Sequence, residues 1–201
     1  EEVADDAISG EAPLILIVED NNDMRLFIKE NVQTNYKVIE SVDGEDGLHK
    51  ALENIPDLII SDVLMPKLNG YEFCTKVKTD ERTSHVPLIL LTSRAETNSR
   101  IIGLETGADD YLTKPFYSAE LLLRIKNLIE QRRKLREKFG KEITLEPKSI
   151  AVTSTDEKFL TRVLEVVEKN VSNEKFSAEE FAKNVGMSKT HLNRKLNALT
   201  D

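Results

Sequence analysis

The chain has 201 residues, of which 39% are hydrophobic and 32% charged, and a formal net charge of −8. This composition is that of a globular protein with room for one full domain and a smaller one. No apolar run approaches the roughly 20 residues of a membrane span and no signal peptide opens the chain, so membrane contact and secretion are not indicated. Its single cysteine, Cys74, can form no internal disulfide, which suits a reducing cytoplasm. Cys74 falls on the apolar stripe of a predicted helix, so we expect inert core packing.

Charge divides the chain into three parts. Residues 1–12 carry five acidic side chains, no basic ones and no periodicity, and are predicted to be a linker. Residues 13–130 carry 13 Lys and Arg against 20 Asp and Glu, whereas residues 131–201 carry 15 against 11. The acidic and basic parts are therefore expected to have different functions. Because the chain lacks an initiating methionine, we also expect a piece of a longer protein.

From Pro13 onward, apolar strand-like runs alternate with amphipathic stretches. The predicted strands are Leu14–Val18, Tyr36–Ser41, Asp57–Ser61, Pro87–Leu91 and Asp109–Leu112. The predicted helices are Asn22–Gln33, Glu45–Asn54, Asn69–Thr79, Ala95–Thr106 and Ser118–Lys138. The strands are apolar on both faces, as expected where helices cover a parallel sheet on both sides. Residues 13–136 are thus predicted to form an α/β domain with a five-stranded, doubly wound parallel sheet.

Polar residues follow four of these strands. Glu19 and Asp20 follow the first strand, Asp62 the third, Thr92 the fourth and Lys114 the fifth. Because parallel strands end at one edge of the sheet, these side chains are expected to converge there. Gathered carboxylates repel one another without a cation, and Mg²⁺ takes oxygen ligands from carboxylates, water and phosphate. The pattern predicts a magnesium-dependent site in which one carboxylate accepts a phosphoryl group, assisted by the ammonium and the hydroxyl.

Four motifs at these strand ends carry a family resemblance. They are I-V-E-D at 17–20, D-V-L-M-P-K-L-N-G at 62–70, L-L-T at 90–92 and G-A-D-D-Y-L-T-K-P-F at 107–116. Over residues 13–136 the sequence resembles the receiver domain of bacterial two-component response regulators. The resemblance implies a flavodoxin-like sheet with strand order 2-1-3-4-5. It also implies a phosphorelay switch controlled by a histidine kinase.

The resemblance implies roles for the acidic residues. Asp62 would accept the phosphoryl group from a phosphohistidine. Mg²⁺ would be held by Asp20, by Asp62, by the backbone carbonyl of Leu64 and, partly through water, by Glu19.

The resemblance also implies how the signal leaves the site. Lys114 would neutralise the phosphoryl charge, Thr92 would swing to bond the phosphoryl group, and Tyr111 would follow it inward as a rotameric switch. The Lys114–Pro115 bond would be cis. The responding face would comprise Ala95–Thr106, Asp109–Leu112 and Ser118–Lys138, and the family resemblance implies homodimerisation through it.

An aspartyl-phosphate phosphatase is the enzymatic alternative, since such enzymes use the same nucleophile, metal, hydroxyl and lysine. They require a second aspartate two residues after the nucleophile as the general acid and base. That position holds Leu64, which cannot transfer a proton. The sequence therefore favours a phosphoacceptor switch over a turnover enzyme.

The C-terminal part is predicted to be helical after a linker at 137–155. The predicted helices are Asp156–Asn170, Ser177–Asn184 and Ser188–Leu199. Ser177 and Glu180 form a capping-box pattern at the second helix. A turn at Val185, Gly186 and Met187 separates the second helix from the third, which is a helix-turn-helix pattern.

The last helix has two distinct faces. Leu192, Leu196 and Leu199 repeat at helical spacing and form the inward stripe. The opposite face holds polar side chains able to contact bases or phosphates, namely Lys189, Thr190, Asn193, Arg194 and Asn197. Solvated helices show polar faces as well, so DNA contact is one of two interpretations.

The segment F-S-A-E-E-F-A-K-N-V-G-M-S-K-T-H-L-N-R-K-L resembles the first helix-turn-helix of AraC-type regulators. Residues 156–201 would then be a partial DNA-binding domain, with Lys189, Thr190, Asn193 and Arg194 toward DNA and His191 supporting. The combination resembles the C-terminal region of a hybrid sensor kinase and regulator, whose parent protein could be anchored in the inner membrane. His49, His85 and His191 lie in no kinase-like context, so the phosphodonor lies outside this chain. A free-standing AraC-type response regulator is the alternative.

Overall fold

A computed structural model describes residues 12–93, 106–139, 151, 153–173 and 176–200. The predicted linker at 1–12, apart from its last residue, and all but the last residue of the predicted helix Ala95–Thr106 lie outside the described residues. Most of the predicted linker at 137–155 does so as well. No helix within the described ranges is long and apolar enough to cross a membrane.

The described residues up to 139 form five strands and four helices, and three further helices follow. The strands are β1 (Leu14–Val18), β2 (Lys37–Ser41), β3 (Leu58–Asp62), β4 (Leu88–Ser93) and β5 (Asp110–Lys114). The helices beside the sheet are α1 (Asn22–Val32), α2 (Gly44–Asn54), α3 (Gly70–Thr79) and α4 (Ser118–Phe139). The C-terminal helices are α5 (Ser154–Asn170), α6 (Ala178–Val185) and α7 (Lys189–Thr200).

The five strands form one parallel sheet in the order β2-β1-β3-β4-β5. This confirms the predicted α/β architecture and the implied strand order. Side chains of the central strands alternate between two apolar cores, one against α2 and α3 and the other against α1 and α4. Burial of each large apolar side chain contributes about 1.5–3 kcal/mol. The first core includes Leu16, Ile59, Phe73 and Leu90. The second includes Ile17, Ile28, Ile60 and Leu121.

Three strands run further than the sequence predicts. Asp62 is the last residue of β3, Thr92 lies within β4 and Lys114 ends β5, rather than following their strands. The pairing of neighbours continues to these positions, since Asp62 is opposite Leu91 and Thr92 is opposite Thr113. The sheet therefore fixes the backbone beneath each of these side chains.

Gly70 allows α3 to begin directly against the end of β3. A Cβ at this position would lie 2.2 Å from the carbonyl oxygen of Asp62, so no other residue fits without moving the strand. The Gly70 amide donates to the carbonyl of Val63 at 2.9 Å, and the Asn69 side chain caps the helix. The D-V-L-M-P-K-L-N-G motif thus shapes the loop that follows Asp62.

The three C-terminal helices enclose a small apolar core of their own. Capping boxes begin α5 at Thr153 and α6 at Ser177, and the second of these was predicted. Gly186 ends α6 at a φ of 84°, a conformation that favours glycine. Because Thr153 caps α5, that helix begins at Ser154, and α4 extends to Phe139, so both ends of the predicted linker at 137–155 are helical.

Candidate functional site

The carboxyl edge of the sheet holds a cluster of three carboxylates. Oxygen atoms of Glu19, Asp20 and Asp62 lie within 4.8 Å of one another. Glu19 and Asp20 directly follow β1, and Asp62 ends the neighbouring β3. The parallel topology therefore brings together residues that are more than 40 positions apart in the sequence.

Lys114 lies between two of these carboxylates. Its Nζ is 2.8 Å from Oε2 of Glu19 and 3.0 Å from Oδ1 of Asp62. With all three acids ionised, the cluster and this one ammonium leave a formal charge of −2. A divalent cation with oxygen ligands would balance that charge, so the donor set fits Mg²⁺.

Glu19 is buried, with 1% of its surface exposed, whereas Asp20 is exposed. Burial raises the pKa of the Glu19 carboxyl, and the nearby negative charge of Asp62 adds to this. Hydrogen bonds from Lys114 and from the amide of Asn21 act in the opposite direction. Glu19 is thus built into the site, where the family resemblance implied a metal ligand acting partly through water.

Asp62 lines an open cleft. Its Oδ1 accepts a hydrogen bond from the amide of Val63 at 2.8 Å, which fixes the carboxylate relative to the loop. The α1 side of the cleft is lined by Asn21, Asp23, Met24 and Phe27. The N-cap Asn21 and the three α1 residues were not predicted as site residues, because their sequence positions show only an amphipathic helix.

Arg25 organises the loop that carries the acidic pair. Its Nη1 donates to the carbonyl of Glu19 at 2.8 Å, and its Nη2 donates to Oδ1 of Asn22 at 2.9 Å. The sequence analysis did not single out this residue. A basic residue one turn into the helix after an acidic pair is the signal that could have indicated it.

Thr92 and Tyr111 occupy the neighbouring strands. Thr92 is half-buried at the same edge, one residue beyond the β-ladder partner of Asp62. Tyr111 is half-buried within β5, with its hydroxyl oxygen 3.3 Å from Oγ1 of Thr106. Tyr111 thus contacts Thr106, the last residue of the predicted segment Ala95–Thr106 of the responding face.

Leu64 and Cys74 have contrasting surroundings. The Leu64 side chain is 61% exposed, two residues beyond Asp62, and offers no proton donor there. The role of its carbonyl as a metal ligand stays a prediction. Cys74 is buried, and burial raises the pKa of its thiol to about 11. This confirms the expected inert packing.

The predicted DNA-facing residues of α7 do not share one environment. Thr190 and Asn193 are exposed, and Lys189 pairs with Glu179 at 2.7 Å. Arg194 instead donates to the backbone carbonyl of Glu53, on the α/β domain, at 3.0 Å. The carboxyl-edge site and the polar face of α7 are therefore separate features.

Comparison with known families identifies the family to which this fold belongs. The sequence model of the response regulator receiver domain matches residues 15–126, more than half of the chain. The chain belongs to the response regulator receiver family. Receiver domains are phosphoacceptor switches that take a phosphoryl group from histidine kinases onto an aspartate, and they bind Mg²⁺ at an acidic pocket.

The receiver has named relatives of two kinds. "Histidine kinase P4" of Formosa agariphila is 43% identical over 191 residues, which are 95% of this chain and 14% of that protein. "Response regulator ArlR" of Staphylococcus aureus is 42% identical over 118 residues, which are 58% of this chain and 52% of that protein. The chain thus spans about one-seventh of the first relative and half of the second.

Solved receiver structures share the fold. A putative response regulator from Chloroflexus aurantiacus is 34% identical with a TM-score of 0.57, covering 60% of this chain and 99% of its own. The receiver domain of sensor histidine kinase PA1611 from Pseudomonas aeruginosa is 32% identical with a TM-score of 0.55, covering 59% and 98%. That structure is described with a magnesium ion in its active-site cleft.

Proposed function

We propose that Asp62 is the phosphoacceptor of this receiver and that the acidic cluster is its Mg²⁺ site. The observation that carries this proposal is the convergence of Glu19, Asp20 and Asp62 within 4.8 Å, with Lys114 bonded to two of them. Of these carboxylates, Asp62 ends a central strand, lines the open cleft and lies 3.0 Å from the Lys114 ammonium. We therefore assign it as the acceptor, beside the metal that the three carboxylates hold together.

The transfer is a substitution at phosphorus. A carboxylate oxygen of Asp62 attacks the phosphorus of a phosphohistidine, so a P–O bond forms while the P–N bond breaks and the electron pair returns to the imidazole. When bound by Glu19, Asp20, Asp62 and the carbonyl of Leu64, Mg²⁺ supplies charge neutralisation for the phosphoryl oxygens. The Lys114 ammonium remains within reach of the same oxygens.

Phosphorylation exchanges a charge of −1 for roughly −2, and the metal and Lys114 offset most of it. The net field therefore changes little, and the output is conformational. Thr92, on the strand beside Asp62, forms a hydrogen bond to the phosphoryl group. Tyr111 then changes rotamer and transmits this change to the face that includes Thr106. We propose that this face, within Ala95–Lys138, also supports a homodimer.

Labelling by acetyl phosphate tests the site. In the presence of Mg²⁺ the intact mass is expected to increase by one phosphoryl group, and chelation of the metal should prevent the increase. Because Leu64 replaces a general acid and base, the product should persist while small phosphomonoesters are not turned over. Equal labelling with and without Mg²⁺, or rapid steady-state phosphate release, would contradict the proposal.

We further propose that α5, α6 and α7 are part of an AraC-type DNA-binding domain controlled by the receiver. The match to the Formosa protein supports a link between receiver and C-terminal helices, since it extends over 95% of this chain. The Gly186 turn between α6 and α7 and the polar face of α7 support the DNA-binding assignment.

The name of that relative favours a hybrid kinase and regulator with a cytoplasmic receiver, and the donor would be a histidine kinase in the same polypeptide or its dimer partner. The ArlR relative keeps a free-standing regulator as the second candidate.

DNA binding by this chain is expected to be weak and salt-sensitive. One helix-turn-helix making three or four phosphate contacts gives a slope of about −3 in log K against log salt, so affinity falls on the order of 50-fold between 50 and 200 mM salt. Fluorescence anisotropy with a labelled duplex measures this slope. Tight binding that does not change with salt would contradict the assignment.

A further inference from the structure

We propose that the receiver docks its own C-terminal helical unit, formed by α5, α6 and α7, and that this contact keeps α7 out of the DNA groove. Its polar contacts come from Glu53, Asn54, Glu81, Ser84 and His85 of the receiver, and α4 also packs against α7. These five residues end α2 or precede β4, so they lie at the amino edge of the sheet, opposite the acidic cluster. The exclusion of DNA rests on the proposed function of α7.

A fully buried polar cluster forms the centre of the contact. Lys195 of α7 and Asp156 of α5 are an ion pair with no exposed surface. Ser84 of the receiver joins them, since its hydroxyl donates to Asp156 Oδ1 at 2.7 Å and accepts from Lys195 Nζ at 2.7 Å. Buried polar groups must find partners, so this arrangement specifies one docked position.

His85 adds a second receiver contact to the same lysine. Its Nδ1 lies 3.4 Å from Nζ of Lys195, and the ring is buried. Burial lowers the pKa of His85 well below its usual value, and the ammonium of Lys195 acts in the same direction. The imidazole is therefore neutral, and Nδ1 accepts the hydrogen bond from the ammonium.

An ion pair lies beside this buried centre. Arg162 of α5 binds Glu81 through two hydrogen bonds, from Nη1 at 3.1 Å and from Nη2 at 2.6 Å. Two parallel bonds between a guanidinium and a carboxylate fix direction as well as distance. Both side chains are more than a third exposed, so the pair itself stabilises docking little, whereas two like charges held at this short distance would oppose docking.

Arg194 ties the predicted DNA-facing side of α7 to the receiver. Its Nη1 donates to the carbonyl of Glu53 at 3.0 Å and more weakly to that of Asn54 at 3.5 Å. These carbonyls belong to the last turn of α2, where backbone acceptors lack helical partners and the helix dipole attracts a cation. Docking therefore uses a guanidinium that DNA contact would require.

Docking of α7 on the receiver and insertion of α7 into the major groove of DNA are sterically incompatible. A helix with its side chains is about 10–12 Å wide, and the major groove is about 12 Å wide. No second protein element fits within hydrogen-bonding distance of a groove-facing side chain. With α2 held at Arg194, α7 cannot enter the groove.

The contact is reversible because undocking leaves no buried charge alone. Asp156 and Lys195 both belong to the helical unit and stay paired, and water can replace Ser84. The side chains that form these hydrogen bonds are polar or charged on both sides, as is common between domains that move relative to each other. Release therefore exposes groups that water solvates well.

Reversing the charges of the Glu81–Arg162 pair tests docking in the full chain. Glu81→Arg and Arg162→Glu should each increase the radius of gyration in solution scattering, and the double variant should restore the wild-type value. The single variants change net charge in opposite directions, so a shared expansion cannot come from charge alone. Wild-type dimensions in both singles would overturn docking.

Fluorescence anisotropy with a labelled random-sequence DNA duplex at low salt tests whether docking keeps α7 away from DNA. If about nine molecules in ten are docked, release raises the apparent affinity about tenfold. Glu81→Arg should therefore bind about tenfold more tightly than Glu30→Arg, a control with the same charge change at an exposed position of α1. An expanded Glu81→Arg chain that binds no more tightly than this control would overturn exclusion.

A third variant separates the inference from the function on which it rests. Adding Lys189→Gln to Glu81→Arg should weaken binding if released α7 contacts DNA. If the Glu81→Arg chain gains affinity and Lys189→Gln changes nothing, another surface binds DNA. That outcome would overturn the assigned role of α7 and the exclusion drawn from it, while the scattering result would still decide docking.

Discussion

Asp62→Asn is expected to abolish labelling by acetyl phosphate. The amide has nearly the same shape but no anionic oxygen to attack phosphorus. Its carbonyl oxygen can still accept the hydrogen bond from the Val63 amide, and Lys114 keeps its bond to Glu19. The variant should therefore fold normally and fail only in chemistry, as intact mass measurement after incubation with Mg²⁺ and acetyl phosphate would show.

Asp23→Asn is the matched control for this variant. Asp23 is an exposed carboxylate of α1 that lines the same cleft but does not belong to the cluster of three. Its replacement should leave the mass increase in place. Persistent labelling of Asp62→Asn, or loss of labelling in Asp23→Asn alone, would show that the acceptor has been misassigned.

Asp156→Ala is expected to lower the free energy of unfolding by about 3–5 kcal/mol, because it leaves the Lys195 ammonium buried without a counter-charge. The change also removes the carboxylate that accepts from Thr153 in the capping box of α5. Urea denaturation followed by far-UV circular dichroism measures the loss.

Two further variants show whether the unpaired buried charge of Lys195 causes this loss of stability. Adding Lys195→Met to Asp156→Ala should recover much of the loss, since an apolar side chain then fills the space beside Phe159. Glu179→Ala breaks the exposed pair with Lys189 and should have a much smaller effect. A loss no larger for Asp156→Ala than for Glu179→Ala would contradict the buried-charge explanation.

The acidic site was predictable because its residues obey a rule of topology. Asp62, Lys114 and the acidic pair each stand at the end of an apolar run, and parallel strands bring their ends to one edge. Arg25 was not predicted, because its partner is a backbone carbonyl and its only signal is its place one turn into the helix after the acidic pair. The strand ends were predicted too early, because pairing with the neighbouring strand continues to polar residues such as Asp62 and Thr92.

The buried partners of Lys195 could not be predicted from the sequence. It lies three residues after Leu192 and four before Leu199, on the stripe that the sequence analysis assigned to the interior. A lysine on such a stripe predicts a buried partner, but spacing does not name one. Asp156 lies 39 residues before it and Ser84 lies 111 residues before it. Only the packing of α5, α7 and the loop before β4 brings them together.

The sequence by itself determined the parallel α/β fold and the residues at its carboxyl edge, because hydrophobic periodicity and strand ends are local properties. The tertiary structure alone decided that Glu19 is buried beside Lys114 and that the helical unit rests on the opposite edge of the sheet. Those features depend on contacts between distant segments, whose positions follow from packing rather than from any local pattern.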